Sequence, residues 1–435
     1  MTIFETFGIM NKVHLIVLRS ICNMFNELGG LNLKQYEIII IGGGPAGLFS
    51  AIMSAKSHKK IAVLEKNKSC GRKLLMTGAG KCNLTQAGQM THFLECYGKN
   101  GKFLKPALLT YTNEDLLQFF QKRGMSFITQ ENGKIFPKSF KAIDVLNLLL
   151  IECEKLKIDV ITDSDVQSIV KNELVFSIET CNETYLSQQV IVATGGMSYP
   201  HTGSTGDGQR FAKALGHKIA PMKPALTPLK IKNFTLVDLA GQSFKELTYT
   251  LWRQGKKLGT YQGDVLLTHT GVSGPGILNA SRDMQSKDVI KLNFVGVNQE
   301  EIRSIFTKRL DTDGKTLVKT MIRELDLTRR FSDKILELAE IPEDLKCAEL
   351  KKVQRQTLLT LLTEYEMEIK ELGSYQMAMV TAGGISFKDI NPKTMESRIV
   401  KGLYFIGEVV DIDGDTGGYN LQASYSMAYL AAKAL

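Results

Sequence analysis

A chain of 435 residues, 43% hydrophobic and 23% charged, carries apolar material for more than one packed core, which excludes a disordered or fibrous protein and predicts two or three domains. Its 54 basic against 45 acidic residues give a formal charge of +9, which favours anionic partners without naming one. Seven cysteines (22, 70, 82, 96, 153, 181 and 347) include no C-x-x-C pair and no His partners at metal spacing, so neither a disulfide scaffold nor a metal centre is expected. Reduced thiols in a cytoplasm fit that usage.

Residues 1–34 precede the first strand pattern, and their apolar run VHLIVL is cut short by Arg19. It is too short for a membrane span and shows no small-residue cleavage site. An amphipathic extension, a targeting segment, or an upstream start with Met10 as a second start are the open readings.

Residues 36–47, YEIIIIGGGPAG, then predict an apolar strand running into Gly42, Gly44 and Gly47 at G-x-G-x-x-G spacing. Gly42 takes the tight turn, Gly44 lets backbone approach a pyrophosphate, and Gly47 permits close helix packing. A helix over 45–57, starting Pro45-Ala46, points its amides and dipole at the phosphates. A second strand over 61–67 ends in Glu65, about 20 residues past the glycines, where a ribose-binding acid is expected. A flexible turn would explain the glycines alone, but not the ordered series of strand, glycine loop, helix, strand and acid.

A polar loop rich in glycine follows at 71–86, then helical patterns near 112–123 and 140–156. Between them FITQENGKIF reads as a hairpin turning at Glu131, Asn132 and Gly133, and VIVATGG at 190–196 is another strand. The pattern is β-rich from about 225 to 297 and helical from 298 to 371, including the run LKKVQRQTLLTLLTEYEMEI. From 402 onward strand, glycine loop and helix return. The predicted organisation is therefore an N-terminal extension (1–34), a discontinuous nucleotide-binding domain (35–222 and 372–435), a β-rich insert (223–297) and a helical insert (298–371).

A single dinucleotide unit serves NAD or FAD equally. The C-terminal segment favours FAD: a strand ending in Gly407 and Glu408, then Gly414, Gly417 and Gly418 before a helix that begins Tyr419-Asn420, is the order of parts in flavoproteins of the two-dinucleotide-binding type. Ala193-Thr194-Gly195 resembles their A-T-G segment. No second strand, G-x-G-x-x-G and helix unit occurs, so NAD(P)H is expected at most as a transient reductant docking over the flavin.

Five motifs in one order carry a closer resemblance: GGGPAG at 42–47, GRKLLMTGAGKCNLTQ at 71–86, TGGMSYPHTGSTGDG at 194–208, LLTHTGVSGP at 266–275 and YFIGEVVDIDGDTGGYNLQ at 404–422. From residue 36 onward the chain resembles the bacterial BaiN/RdsA-type FAD-dependent oxidoreductases, also described as NAD(P)/FAD-dependent or aminoacetone-oxidase-like. It departs from them at Lys81, where arginine is usual, and at Gln86, where asparagine is common. The resemblance implies an α/β fold, a Rossmann-like FAD-binding domain interrupted by a β-barrel-like insert and a small helical insert. It also implies hydride addition to an activated C=C bond, in a small enone or in a uridine of large-subunit ribosomal RNA, giving dihydrouridine. Such chemistry needs hydride from reduced flavin, a donor that stabilises enolate charge, and an acid.

The expected FAD contacts are Gly42, Gly44, Pro45, Ala46 and Gly47 at the phosphates; Glu65, with Lys66, at the ribose; Arg72 and Lys73 at the FAD phosphate or the adenosine side; Gly407 and Glu408 at the ribityl and phosphate region; Gly417, Gly418, Tyr419 and Asn420 toward the flavin pyrimidine; and Thr194 and Gly195 in the A-T-G segment. The candidate acids are Cys82, in the loop expected near the isoalloxazine, with Tyr199, His201 and His269. For each, a structural role is the competing reading. Ser273 in GVSGPG lacks the spacing and partners of a hydrolase nucleophile. Lys99, Lys102 and Lys105, then Lys134, Lys138 and Lys141, interleave with Phe103, Phe136 and Phe140, a pattern that suits RNA and equally an ordinary surface over a core. The competing functions are a ribosome- or RNA-associated protein with structural FAD, and an amine oxidase.

Overall fold

The structure, a computed structural model, describes residues 33–55 and 59–435, so the readings of the N-terminal extension fall outside the described residues except at Leu33 and Lys34, which already belong to the first strand. The chain forms two compact units, one ending its first pass at Met222 and resuming as Gly383–Leu435, the other Lys223–Ala382.

The first unit opens with β1 (Leu33–Ile41), α1 (Pro45–Ser54) and β2 (Ile61–Leu64). Ile38, Ile39 and Ile40 are fully buried, as expected of a central strand with both faces covered. Next come β3 (Thr85–Gln86), α2 (Met90–Glu95), α3 (Gly101–Thr110) and α4 (Asn113–Gln121), the last opened by a capping box of Thr112 and Asp115. The hairpin β4 (Phe127–Thr129) and β5 (Lys134–Pro137) turns through Gly133 at φ +78°, a left-handed position that glycine adopts freely. Then follow α5 (Ala142–Lys155), β6 (Asp159–Ile161), β7 (Val166–Lys171), β8 (Phe176–Thr180), β9 (Thr184–Val192) and α6 (Asp207–Ala214).

In the second unit a closed antiparallel barrel is formed by β10 (Leu229–Ile231), β11 (Ser243–Arg253), β12 (Lys256–Leu267), β13 (Gly271–Ser273), β14 (Val289–Asn293) and β15 (Tyr365–Leu372), in the order β10-β13-β12-β11-β14-β15. Four helices, α7 (Gln299–Thr312), α8 (Val318–Arg323), α9 (Arg329–Leu338) and α10 (Lys352–Thr363), lie between its last two strands in sequence. One hydrophobic cluster joins Leu251, Ile290 and Ile369 of the barrel to Phe306, Ile322, Phe331 and Leu362 of the helices.

Two sequence expectations change here. The β-rich and helical segments are one unit with a shared core rather than two inserts, and the second junction falls at 382/383 instead of 371/372. The helical run ends at Thr363. Tyr365, Met367 and Ile369 alternate inward against Glu366 and Lys370, and pairing with β14 and β10 closes the barrel.

The chain completes the first unit with β16 (Leu403–Phe405) and α11 (Tyr419–Ala434). Its main sheet has the order β6-β2-β1-β9-β8-β7. β1 lies parallel to β2 and β9, and β16 lies parallel to the last three residues of β9. β9 is shared lengthwise: Thr184–Ser187 pair antiparallel with β8, and Val190–Val192 with β16. The carboxyl ends of β1, β9 and β16 therefore come together, the place where open α/β sheets bind ligands.

Because helices and barrel share one core, Phe306→Ala should destabilise the second unit by about 3–5 kcal/mol. Hydrogen exchange should show protection lost in β15 together with the helices. Loss confined to 299–363 would contradict a common core.

Candidate functional site

The glycine loop follows β1 and is held by backbone. The Gly42 amide donates to the Leu64 carbonyl (2.8 Å), and the Gly71 amide to the Gly43 carbonyl (3.0 Å). Gly42 has φ +111°, and a Cβ there would lie 2.5 Å from the Ala193 carbonyl oxygen at the end of β9. A Cβ on Gly47 would lie 1.9 Å from the Gly42 carbonyl oxygen, so helix and loop touch backbone to backbone. Around a Cβ on Gly44 nothing lies within 4 Å. α1 begins at Pro45 with no side-chain cap and no acid in its first turn, leaving its amides and positive dipole end for an anion.

Glu65 is buried. Its Oε2 accepts from the Gly43 amide at 2.8 Å, and its Oε1 from the Asn67 amide and side chain at 2.9 and 2.6 Å. The acid thus fixes the glycine loop. Asn67 also donates to the Thr202 carbonyl (3.1 Å) and accepts from exposed Arg72 (2.9 Å). Lys66 reaches Asp207 (2.7 Å) and Thr205 (2.6 Å) at the start of α6. Gly43, Asn67 and Asp207 were not singled out from sequence; the only trace of Asn67 is its place two residues past the acid.

The second half of the site is assembled from distant residues. Lys73 and Glu408 form an ion pair of 2.7 Å, both largely enclosed. A Cβ on Gly407 would meet Ala46 Cβ at 3.2 Å, so this turn sits against the first turn of α1. Thr194 follows β9 with a buried hydroxyl that has no partner among the described residues, and Gly195 has φ +75°. Gly417 and Gly418, both left-handed, lead into α11; a Cβ on Gly418 would stand 2.7 Å from the backbone of Thr85. This helix too has no side-chain cap and no acid in its first turn. Asn420 ties down the preceding loop through the Gly414 amide and carbonyl, each at 2.8 Å. The Tyr419 carbonyl accepts from the Tyr97 hydroxyl (2.8 Å). Phe49 of α1 and Tyr425 of α11 pack edge to face at 5.1 Å.

The three candidate acids of the first unit do not converge. Cys82 is fully enclosed in the core, and burial pushes its thiol up to about 12 against a weaker lowering by Thr77. It is therefore a neutral core side chain, which corrects the expectation of a thiol facing substrate. Tyr199, held at φ +53° with its phenol raised by burial, and exposed His201 contact each other at 5.9 Å. Their loop rests on Asn67, at the Glu65 end rather than the Gly417–Tyr419 end. His269 is exposed between β12 and β13 of the second unit.

A family model described as HI0933-like protein Rossmann domain matches residues 36–434. The chain belongs to this family. It is 28% identical over 406 residues to the ribosomal RNA dihydrouridine synthase of Escherichia coli, a match covering 93% of this chain and 98% of that protein. The protein of the same name from Haemophilus influenzae is 32% identical over 412 residues, covering 92% and 98%. The 3-dehydro-bile acid delta(4,6)-reductase of Clostridium scindens is 30% identical over 409 residues, again covering 92% and 98%. Family membership makes the chain an FAD-dependent oxidoreductase.

The residues present fit that cofactor. Two helix N-termini without side-chain caps and the open space at Gly44 answer an anionic diphosphate. No described helix is long and apolar enough to cross a membrane.

The glycines should separate by experiment. Gly44→Val should keep the melting temperature of the apoprotein within about 2 °C of wild type while abolishing FAD binding, since its side chain meets only the space left for phosphate. Gly47→Val should destabilise the apoprotein itself by at least about 2 kcal/mol. A Gly44→Val protein that retains wild-type FAD affinity in fluorescence titration would contradict this phosphate site. Glu65→Ala, by freeing the Gly43 amide, should cost about 1–3 kcal/mol of apoprotein stability, read by urea unfolding.

Proposed function

We propose that this chain reduces the C5–C6 double bond of a uridine in large-subunit ribosomal RNA, yielding dihydrouridine in the cytoplasm, where its six described cysteines remain thiols outside any disulfide. The observation that carries this reading is the match over 98% of the length of ribosomal RNA dihydrouridine synthases from two organisms. A second reading, reduction of a small conjugated enone, has the bile acid reductase of similar identity behind it. Both substrates are alkenes made electron-poor by a carbonyl, so one site chemistry serves either.

When bound, reduced FAD supplies the hydride from N5. Hydride addition at C6 leaves an enolate that takes its proton at C5 from solvent water, and the chain's own residues bind and orient the cofactor. The first-turn amides of α1 hold the diphosphate, with Gly44 allowing its approach, and Glu65 serves the ribose while anchoring the loop. Lys73 balances the Glu408 carboxylate beside the first turn of α1, where an uncompensated negative charge would repel phosphate. The N-terminus of α11 presents its amides and dipole to negative charge at the flavin end. NAD(P)H docking over the flavin is the proposed reductant.

Holoprotein photoreduced without oxygen should be reoxidised by single-stranded RNA containing uridine, with dihydrouridine appearing in the nuclease digest. Reoxidation by a conjugated steroid enone and not by RNA would favour the second reading. RNA binding without reoxidation would mark the FAD as structural, and peroxide formation on adding an amine would mark an oxidase.

A further inference from the structure

We infer that the surface around Phe140, with Lys81, Lys138 and Lys141, is the platform on which a single-stranded RNA segment docks beside the flavin site; this rests on the uridine-reducing reading above. Phe140 follows the β4–β5 hairpin with φ +52°, a left-handed conformation that costs energy for a bulky side chain and that only Phe140 and Tyr199 adopt among the described aromatic residues. Its ring is half-buried, 5.7 Å from that of Phe136, which is buried beneath the hairpin. Lys81 reaches over it, with Nζ 6.0 Å from the ring centroid. Lys138 and Lys141 flank it in sequence, and all three lysines are exposed. None has an ion-pair partner among the described residues. The next carboxylate along the chain, Asp144, pairs with none of them.

The surface is built onto the loop that runs through the flavin site. Loop 71–86 starts with Gly71 bonded to Gly43 of the phosphate loop and ends with Thr85 against Gly418 at the start of α11. Midway, a Cβ on Gly78 would meet the Phe136 ring at 3.2 Å, and the Gly80 carbonyl accepts from the Ala142 amide at 2.8 Å, just past Phe140. A half-exposed ring beside unpaired cations is what stacked bases and phosphates require together. Of the lysine and aromatic stretches in the sequence, this one converges. Phe103 instead packs against Phe387 at 5.6 Å, and the Lys99 side chain is not among those described.

The test uses holoprotein and a fluorescently labelled single-stranded oligouridylate of about 12 nucleotides, titrated by anisotropy over a salt series. The triple variant Lys81→Gln, Lys138→Gln, Lys141→Gln should lose at least about tenfold in affinity and reduce the slope of log affinity against log salt by about 2, at unchanged flavin content and unchanged oxygen-driven reoxidation. Phe140→Leu, which keeps apolar volume, should lose about tenfold with the salt slope unaltered, because only stacking is removed. If wild type binds and reduces RNA while the triple variant keeps wild-type affinity and slope, the platform is overturned and the uridine reading stands. An unaffected Phe140→Leu protein overturns the stacking role. Wild type that neither binds nor reduces the strand, yet reduces an enone, overturns both.

Discussion

Everything at this site depends on one backbone contact. The Gly47 Cα sits so close to the Gly42 carbonyl that a Cβ would come within 1.9 Å of the oxygen, and this contact sets how steeply α1 leaves the end of β1. Only with the helix seated there do its first-turn amides face the space at Gly44, does Ala46 meet Gly407, and does Phe49 reach Tyr425 of α11. The contact is local in sequence but organises residues more than 350 positions apart.

That locality explains what could be read from the chain. The strand, glycine loop, helix, strand and acid lie within 30 residues, and each obeys a short-range rule. Tyr365–Leu372 obeys the opposite logic. Glu366, Met367, Glu368 and Lys370 are good helix formers, and the preceding helix runs straight into them. The strand is decided by barrel partners: Leu229–Ile231, more than 130 residues earlier, and Val289–Leu292. The merging of the two inserts was equally hidden, because a shared core is a property of contacts and not of periodicity.

At the site, glycines were legible and side-chain partnerships were not. Glu65 was recognisable by its distance from the glycines, but its bond to the Gly43 amide was not. Nor was the Lys73–Glu408 pair, which spans 335 residues. Cys82 and His201 are residue types suited to acid catalysis, but one is enclosed in the core and the other exposed in the loop beside Asn67. Reactive chemistry at a motif position carries little weight until burial and neighbours are known.

The arrangement reconciles an acidic site lining with an anionic cofactor. Glu408 is matched by Lys73 and Asp207 by Lys66, while Glu65 is satisfied by amides, so each of these three carboxylates is compensated. What distinguishes one alkene from another then lies outside the flavin contacts, in surfaces such as that around Phe140. The central claim, reduction of a ribosomal uridine, is tested most directly by deleting the gene in its host and mapping dihydrouridine across large-subunit ribosomal RNA. The account predicts that one modified position disappears and returns with the wild-type gene but not with Gly44→Val. An unchanged map would contradict it.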